Sequence, residues 1–205
     1  MAGIIEVKDQ GKLRIYDADN SHYTDIVVPS SVTANRTITL PDASFTVPNI
    51  SGITMADSWR ITANFNTSGA DITANWERDD TFSPGQIGSA MTESSGIFTF
   101  PSTGVYLITA QSYISASSGN PNYIGLKIAV TEDNSAYQNG SLTYTSTDGT
   151  AQHESLYCTY LFDVTNTSTH KVKMTAEVEG SDTATYDGSS VNKHTGFDFI
   201  RLGDT

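Results

Sequence analysis

The side chains that most often carry catalysis are few in this chain and lie far apart. There is one cysteine, Cys158, and there are four histidines, none of which has a His-x-x-x-His or Glu-x-x-His spacing. Such spacings place two ligands on one helix face, as many zinc enzymes require. A Gly-x-Ser-x-Gly nucleophile elbow, a Walker loop and a dinucleotide fingerprint are also missing. The sequence therefore does not indicate an enzyme, and we predict no cofactor and no metal ion.

The histidines and the cysteine each allow two interpretations. The histidines are His22, His153, His170 and His194. His153 and His170 stand where predicted strands begin, and without a spaced partner they are better interpreted as solvated turn residues than as ligands. Cys158 falls on the inward side of a predicted strand with no base nearby in sequence. It is therefore better interpreted as a small buried hydrophobic residue than as a nucleophile.

Composition excludes several classes of function. Lys and Arg number 11 against 23 Asp and Glu, which gives a net charge of -12 over 205 residues. A chain this acidic repels phosphate backbones, so nucleic-acid binding is not expected. No apolar run approaches the roughly 20 residues of a membrane span. An acid at Glu6 interrupts the N-terminal apolar residues, so we expect no signal peptide, and the single cysteine fits synthesis in a reducing cytosol.

Strict alternation of apolar and polar residues is the main structural signal. About a quarter of the chain is Ser or Thr, which favours strands and turns over helices. Apolar residues recur at every second position in four segments, and no 3.6-residue period is evident. The segments are 58–65, 123–131, 154–164 and 171–179. Each is typical of an antiparallel strand with one buried face, which predicts an all-β sandwich or jelly roll.

The first fifty residues differ from the rest. Their strand-like pieces are short and are broken by Pro29, Pro41 and Pro48. The pieces are 4–8, 12–16, 25–28 and 36–40. A β segment of this size is marginal by itself, so we expect it to gain stability from other chains. The predicted division is an N-terminal β-rich arm or stem over residues 1–50 and a head over residues 51–205.

One motif in the head carries a family resemblance. The segment from Gly96 to Ile108 reads Gly-Ile-Phe-Thr-Phe-Pro-Ser-Thr-Gly-Val-Tyr-Leu-Ile. It resembles the signature of the C1q and tumour-necrosis-factor (TNF) jelly-roll family, Gly-x-Phe-x-(Cys or Phe)-Pro-x-x-Gly-x-Tyr. Pro101 would end one strand and Gly104 would allow a tight reversal into the next. The resemblance covers about residues 54–203, although Asp198 and Arg201 depart from the usual terminal strand.

What this resemblance implies is a homotrimer. Family members associate through an apolar inner sheet about a threefold axis, and such interfaces are large and apolar. Five aromatic residues are candidates for that interface, with the core of the monomer as the alternative for each. They are Trp59, Tyr106, Tyr160, Phe197 and Phe199.

The acidic loops also allow two interpretations. Some C1q-like heads bind calcium through loop carboxylates and carbonyls, ligands that suit a hard cation. The acidic clusters of this chain lie at Asp79–Asp80, at Glu132–Asp133, and at Asp182 with Asp187. None forms a spaced series of ligands, so solvated acidic loops are the better interpretation.

A second resemblance lies in the predicted arm. The segment from Ser31 to Asp42, Ser-Val-Thr-Ala-Asn-Arg-Thr-Ile-Thr-Leu-Pro-Asp, is similar to segments near the N-termini of bacteriophage virion proteins. Joined to a C1q-like head without disulfides, it implies a virion structural protein assembled in the host cytoplasm. Apolar residues of the arm are candidates for anchoring to the particle. They are Ile26, Val27, Val28, Ile38 and Leu40.

Three functions remain open from the sequence. The first is a capsid decoration or cement protein, whose partner is the major capsid protein and whose head projects outward. The second is a short tail fibre or receptor-binding protein, whose partners are a tail component and a host glycan or surface protein. The third is a secreted bacterial adhesin, against which the expected absence of a signal peptide argues. Neither nucleic acid nor insertion into a membrane is expected in any of them.

Overall fold

The computed structural model describes residues 13–27, 34, 37, 52–150 and 152–205. The chain divides into two compact units, Met1–Asn49 and Ile50–Thr205. The predicted strands over 4–8 and 36–40 lie outside the described residues, apart from position 37. Within the described residues, no helix is long and apolar enough to span a bilayer.

The described part of the first unit is a β-hairpin. Strand β1, Leu13–Tyr16, pairs antiparallel with β2, Tyr23–Ile26. The guanidinium of Arg14 donates two hydrogen bonds to the carboxylate of Asp25, at 2.7 and 3.0 Å, and lies 3.6 Å from the centre of the Tyr23 ring. These contacts fix the register of the hairpin. The role of residues 1–50 as an arm remains a prediction.

In the second unit, eight strands form the sheet that we call the large sheet. At its centre, β9 (Gly104–Ser118) pairs on one edge with β12 (His153–Val164). Its other edge pairs with β15 (Gly196–Gly203) and, further along, with β14 (Thr183–Tyr186). The remaining strands continue the sheet outward from β15 and β14. They are β3 (Ala56–Ile61), β4 (Phe65–Thr67), β5 (Trp76–Arg78) and β6 (Gln86–Ile87).

Five further strands form the small sheet, which packs against the large one. They are β7 (Thr92–Ser94), β8 (Ile97–Thr99), β10 (Ile124–Thr131), β11 (Gln138–Thr145) and β13 (Lys171–Val178). Their order across the sheet is β11-β10-β13-β8-β7, and every pairing is antiparallel. The predicted all-β sandwich is confirmed, and three of the four alternating segments each form one strand.

The fourth alternating segment, 58–65, is not one strand. β3 ends at Ile61, and the chain resumes as β4 at Phe65, which pairs with β14 instead of β15. The break has a hydrogen-bonding cause: the amide of Ile61 donates to Thr195, and its carbonyl accepts from Ser189. A loop from the C-terminal part of the chain thus replaces a strand partner at this point. The alternation of apolar and polar residues in the sequence does not show that a distant loop takes these hydrogen bonds.

An aromatic cluster fills the centre of the core between the two sheets. Phe98, on β8 of the small sheet, is completely buried and meets Trp59 and Phe197 of the large sheet, each at 5.4 Å between ring centres. It also meets Trp76 edge-on at 5.0 Å. Edge-to-face contacts at these distances are favourable, in addition to the area that they bury. Phe98 therefore ties the two sheets together.

The segment from Gly96 to Ile108 has the structural role that the sequence predicts. Phe100 and Tyr106 are buried, with ring centres 4.7 Å apart, and the Tyr106 hydroxyl donates to the carbonyl of Ser102 at 3.0 Å. Gly104 starts β9 at a φ of 137°, and a Cβ there would lie 2.5 Å from the carbonyl oxygen of Gly203. The reversal between β8 and β9 thus requires glycine at this position.

Candidate self-association surface

The three central strands of the large sheet have two distinct faces. Along β9 and β12, every second residue is buried in the core, including Ile108 and Phe162. The intervening residues point to the opposite side, which we call the outer face. Side chains on a solvated face are usually polar, so apolar residues on this side need an explanation.

One complete row of the outer face is apolar. Leu161 of β12 lies opposite Leu107 of β9, which lies opposite Ile200 of β15. The row continues to Ala56 of β3 and then to Ile87 of β6. Leu161 is 59 % exposed and Ile87 46 % exposed, whereas the three residues between them are half-buried. We call these five residues the apolar row.

A shallow groove of about 660 Å³ follows this row and is bounded by a second, polar row. In the polar row Thr109 lies opposite Asp198, which lies opposite Ser58. The ammonium of Lys193 bonds both oxygens of Asp198, at 2.5 and 2.6 Å, and the Ser58 hydroxyl at 3.1 Å. The polar edge of the groove is therefore held in one arrangement.

A buried arginine closes one side of the outer face. The side chain of Arg60 is only 2 % exposed and donates to Glu77, Asp79, Thr81 and the carbonyl of Val191. The sequence pattern places Arg60 on the outward side of β3, where it should be solvated. It is buried because the residues after β5 and the loop before β15 cover it. A buried guanidinium is tolerable when its donors are satisfied in this way.

The charges that line the groove are paired within one chain. Asp79 pairs with Arg60, Lys193 with Asp198, and Asp57 with Arg78, at N–O distances between 2.5 and 2.8 Å. The hydrogen bond to Asp57 raises the pKa of the Arg78 guanidinium, so the guanidinium stays charged. On a chain of net charge -12, such a surface can approach a second copy with little charge repulsion.

The structure places the predicted interface aromatics inside a single chain. Tyr106, Phe197 and Phe199 are fully buried, and Trp59 is 9 % exposed. Tyr160 is half-buried over Gly140 of the small sheet, where a Cβ would lie 2.8 Å from its ring. All five side chains point into the sandwich, because each occupies one of the alternating positions of its strand that face the other sheet. The four buried rings therefore leave almost no side-chain surface for a partner subunit, whereas Tyr160 leaves part of its ring exposed, and the interface role of these residues stays a prediction.

The predicted anchor residues have mixed placements. Ile26 and Val27 are 54 % and 62 % exposed in the hairpin unit, so their side chains are available to a partner. Val28, Ile38 and Leu40 lie outside the described residues. The anchoring role remains a prediction for all five.

Sequence reasoning missed the apolar row, although the signal was present. In β12 and β15, the alternate positions that face away from the core also carry apolar residues, such as Leu161 and Ile200. A strand with apolar residues on both of its faces is typically buried on both sides. Only the pairing register reveals that these residues line up as one surface.

Two of the chemistry-bearing residues have definite environments. Cys158 is 6 % exposed, and burial raises the pKa of its thiol to about 11, as expected of a buried hydrophobic residue. His170 corrects the prediction of a solvated turn: it is buried, stacks on Phe162 at 5.5 Å, and its amide bonds the carbonyl of Asn166. That turn folds the imidazole back onto the core. Among the described residues, no group of three or more His, Cys, Asp or Glu could hold a metal ion.

Comparison with known proteins identifies the fold. No protein-family model and no curated protein sequence matches the chain. Among solved structures it is similar to Eiger TNF from S. frugiperda, with a TM-score of 0.56 and 15 % identity over 75 % of this chain and 96 % of that one. It is also similar to murine APRIL at pH 5.0, with a TM-score of 0.52 and 12 % identity over 72 % of this chain and 98 % of that one. The fold is therefore a C1q/TNF-like jelly roll.

Proposed function

We propose that this protein is a non-enzymatic structural protein that assembles as a homotrimer through the outer face of its large sheet. The observation that carries the proposal is the apolar row, which extends across five strands and is left partly exposed by a single chain. Natural monomers seldom leave a continuous apolar strip uncovered, and such strips mark interaction sites. The family resemblance supplies the expected stoichiometry of three.

A cyclic arrangement suits this surface. When two different surfaces of the chain contact each other in neighbouring copies, the copies form a closed ring if the rotation between neighbours is a whole fraction of 360°. Three copies would cover the strip of each chain with another part of its neighbour, and the neutral groove would lie within the contact.

We further propose that the trimer is a decoration or cement protein of a bacteriophage capsid, attached by residues 1–50 to the major capsid protein and located in the virion. The resemblance of Ser31–Asp42 to virion proteins supports this role. The exposed Ile26 and Val27 add apolar surface in the unit that would attach. Hairpins of this size bury little by themselves and are stabilised when a larger surface covers them.

Particle binding tests the attachment. Full-length chain with Ile26→Asp and Val27→Asp should lose binding to phage heads that lack the protein, because each buried carboxylate would be unpaired in the contact. We expect affinity to fall by at least about 100-fold, because even one such buried carboxylate costs roughly 3 kcal/mol. Quantitative mass spectrometry of washed particles measures the bound copies.

A matched control uses the other unit of the chain. Leu142→Asp places the same charge at a position that is 45 % exposed in the head and should leave attachment unchanged. Undiminished binding of the doubly substituted chain would contradict anchoring by this hairpin.

The alternative is a short tail fibre or receptor-binding protein. Copy number separates the two, because decoration requires on the order of hundreds of copies on each particle and a fibre requires a few tens or fewer. Under the alternative, the purified protein would bind host cells through a glycan or surface protein and compete with infection.

A further inference from the structure

Phe82 is the most exposed large apolar side chain that the structure describes. It lies in the loop between β5 and β6 and is 82 % exposed. It does not stand alone, because residues 83–87 line the groove beside the apolar row, and Ile87 belongs to that row. The loop is therefore continuous with the apolar row, and Phe82 adds an aromatic ring to that surface.

The loop is held in place on both sides of Phe82. Before it, the hydroxyl of Thr81 accepts a hydrogen bond from the buried Arg60 at 2.6 Å. After it, the hydroxyl of Ser83 donates to the carbonyl of Asp79 at 2.5 Å. A ring on a loop that is already ordered loses little conformational freedom on contact, so its burial contributes more fully to affinity.

A hollow of about 600 Å³ lies on the outer face, lined by β9, β12 and the loop before β15. Its walls include the rings of Tyr113 and Tyr157, which are 37 % and 62 % exposed. Tyr113 stacks on His153, with ring centres 4.8 Å apart and planes 5° from parallel. A space of this volume accommodates an aromatic ring, and aromatic walls offer that ring edge-to-face or offset contacts.

The hollow belongs to the surface that self-association covers. Gln111, Tyr157 and Lys193 line both the hollow and the groove beside the apolar row. A contact that covers the apolar row therefore covers the hollow as well. The cores of stable interfaces are packed as densely as protein interiors, so we expect a side chain of the neighbouring copy to fill this space.

The charges of the hollow favour an apolar occupant. Among the described residues that line it, none carries a carboxylate. The ammonium of Lys193 is paired with Asp198 at 2.5 Å. An aromatic ring can therefore enter the hollow without leaving a charge buried and unpaired.

Phe82 does not fill the hollow of its own chain. In the large sheet, β9, β15 and β3 separate β12 from β5 and β6. The ring also remains 82 % exposed in a single chain. Two surfaces of one chain that are separated in this way can meet between copies that are related by rotation.

We propose that Phe82 of each chain inserts into the hollow of the neighbouring copy, where it packs against Tyr113 and Tyr157. This inference rests on the proposed homotrimer and names the contact that holds it together. Each chain supplies one ring and receives one, as a closed ring of three copies requires. The apolar row lies within the same contact, so Phe82 and the row leave water together.

Photo-crosslinking from position 82 tests the contact. Full-length protein in which p-benzoylphenylalanine replaces Phe82 keeps an aromatic ring at this position and bonds to a nearby C–H group on irradiation. Mass spectrometry of the linked peptides should place the new bond at residues 111–113 or 155–157 of the hollow. Trimers assembled from a mixture of isotope-labelled and unlabelled chains show that the bond joins two copies.

The matched control carries the same photoreactive residue in place of Tyr144, which is 45 % exposed on the small sheet, and should give no bond to the hollow. Two results would overturn the contact and leave the proposed homotrimer intact. They are links from position 82 to another part of the neighbouring chain, and the absence of links between copies in a protein that has the mass of a trimer. A protein with the mass of one chain would overturn the homotrimer and this contact together.

Phe82→Ala measures what the ring contributes to association. Because the ring is exposed in a single chain, its removal acts on the assembly and not on the isolated fold. We expect the dissociation constant to rise at least about tenfold for each contact, because a phenyl ring is no longer buried. Tyr157→Ala should have an effect of similar size, and the double variant should weaken association by less than the product of the two effects, because both remove one contact. Analytical ultracentrifugation measures these constants, and an unchanged constant for Phe82→Ala would contradict the proposal.

Discussion

Replacing Leu161 with glutamate is expected to turn the trimer into a folded monomer. Leu161 is 59 % exposed in a single chain, so a carboxylate there remains in water and costs the isolated fold little. In the proposed contact the same carboxylate loses its water without gaining a partner. At about 3 kcal/mol for each buried charge, association weakens by at least about 100-fold for every copy. Analytical ultracentrifugation measures the change.

Leu142→Glu is the control for this experiment. Leu142 is 45 % exposed and lies on β11 of the small sheet, away from the outer face. Its substitution should leave the mass of the assembly unchanged. Near-ultraviolet circular dichroism checks that both variants keep the packing of their aromatic cores. A Leu161→Glu protein that still sediments as a trimer would remove the apolar row from the interface.

Phe98→Ala should cause the largest loss of stability among single substitutions in the head. Phe98 is fully buried and contacts aromatic rings of both tryptophans and of Phe197 from across the sandwich. Truncating a buried phenylalanine costs about 3–5 kcal/mol, because the transfer free energy is lost and a cavity remains. Urea denaturation, followed by tryptophan fluorescence, measures the free energy of unfolding in a background kept in one oligomeric state.

Phe82→Ala provides the comparison for that measurement. Phe82 is 82 % exposed in the loop between β5 and β6, so its removal should change the free energy of unfolding by less than about 0.5 kcal/mol. Equal effects of the two substitutions would mean that Phe98 is not at the centre of a packed core.

The core was predictable because it depends on local alternation. In β12 and β13, the residues that the pattern assigns to the inward side, such as Phe162 and Met174, are buried. The turn at Gly104 was predictable for a related reason, since a proline, a glycine and their spacing define a reversal within a few residues. Each of these features is encoded in a stretch of about ten residues.

Arg60 was unpredictable because its environment comes from distant parts of the chain. Its hydrogen-bond partners Glu77 and Val191 are 17 and 131 residues away in sequence. An arginine in the outward phase of a strand is ordinarily solvated, and nothing in its own segment indicates that a loop will cover it. The same loop ended β3 early by bonding Ile61, so one long-range connection accounts for both differences.

The sheet that carries the candidate surface could be predicted from the sequence, but the face of that sheet could not. The resemblance directs attention to the inner sheet, and the aromatic residues of that sheet attract the interface assignment. Those aromatic residues fill the core, while the smaller Leu107 and Ile200 lie on the opposite face of the sheet. Deciding which set of alternating residues forms the core requires knowing which face of the large sheet the small sheet covers. That is a property of the folded sandwich.

The mass of the unaltered protein in dilute solution tests the central claim most directly. Sedimentation equilibrium over a series of falling concentrations should give three times the chain mass of 22.0 kDa wherever the protein remains folded. A folded species that stays at the mass of one chain throughout the series would contradict assembly through the outer face.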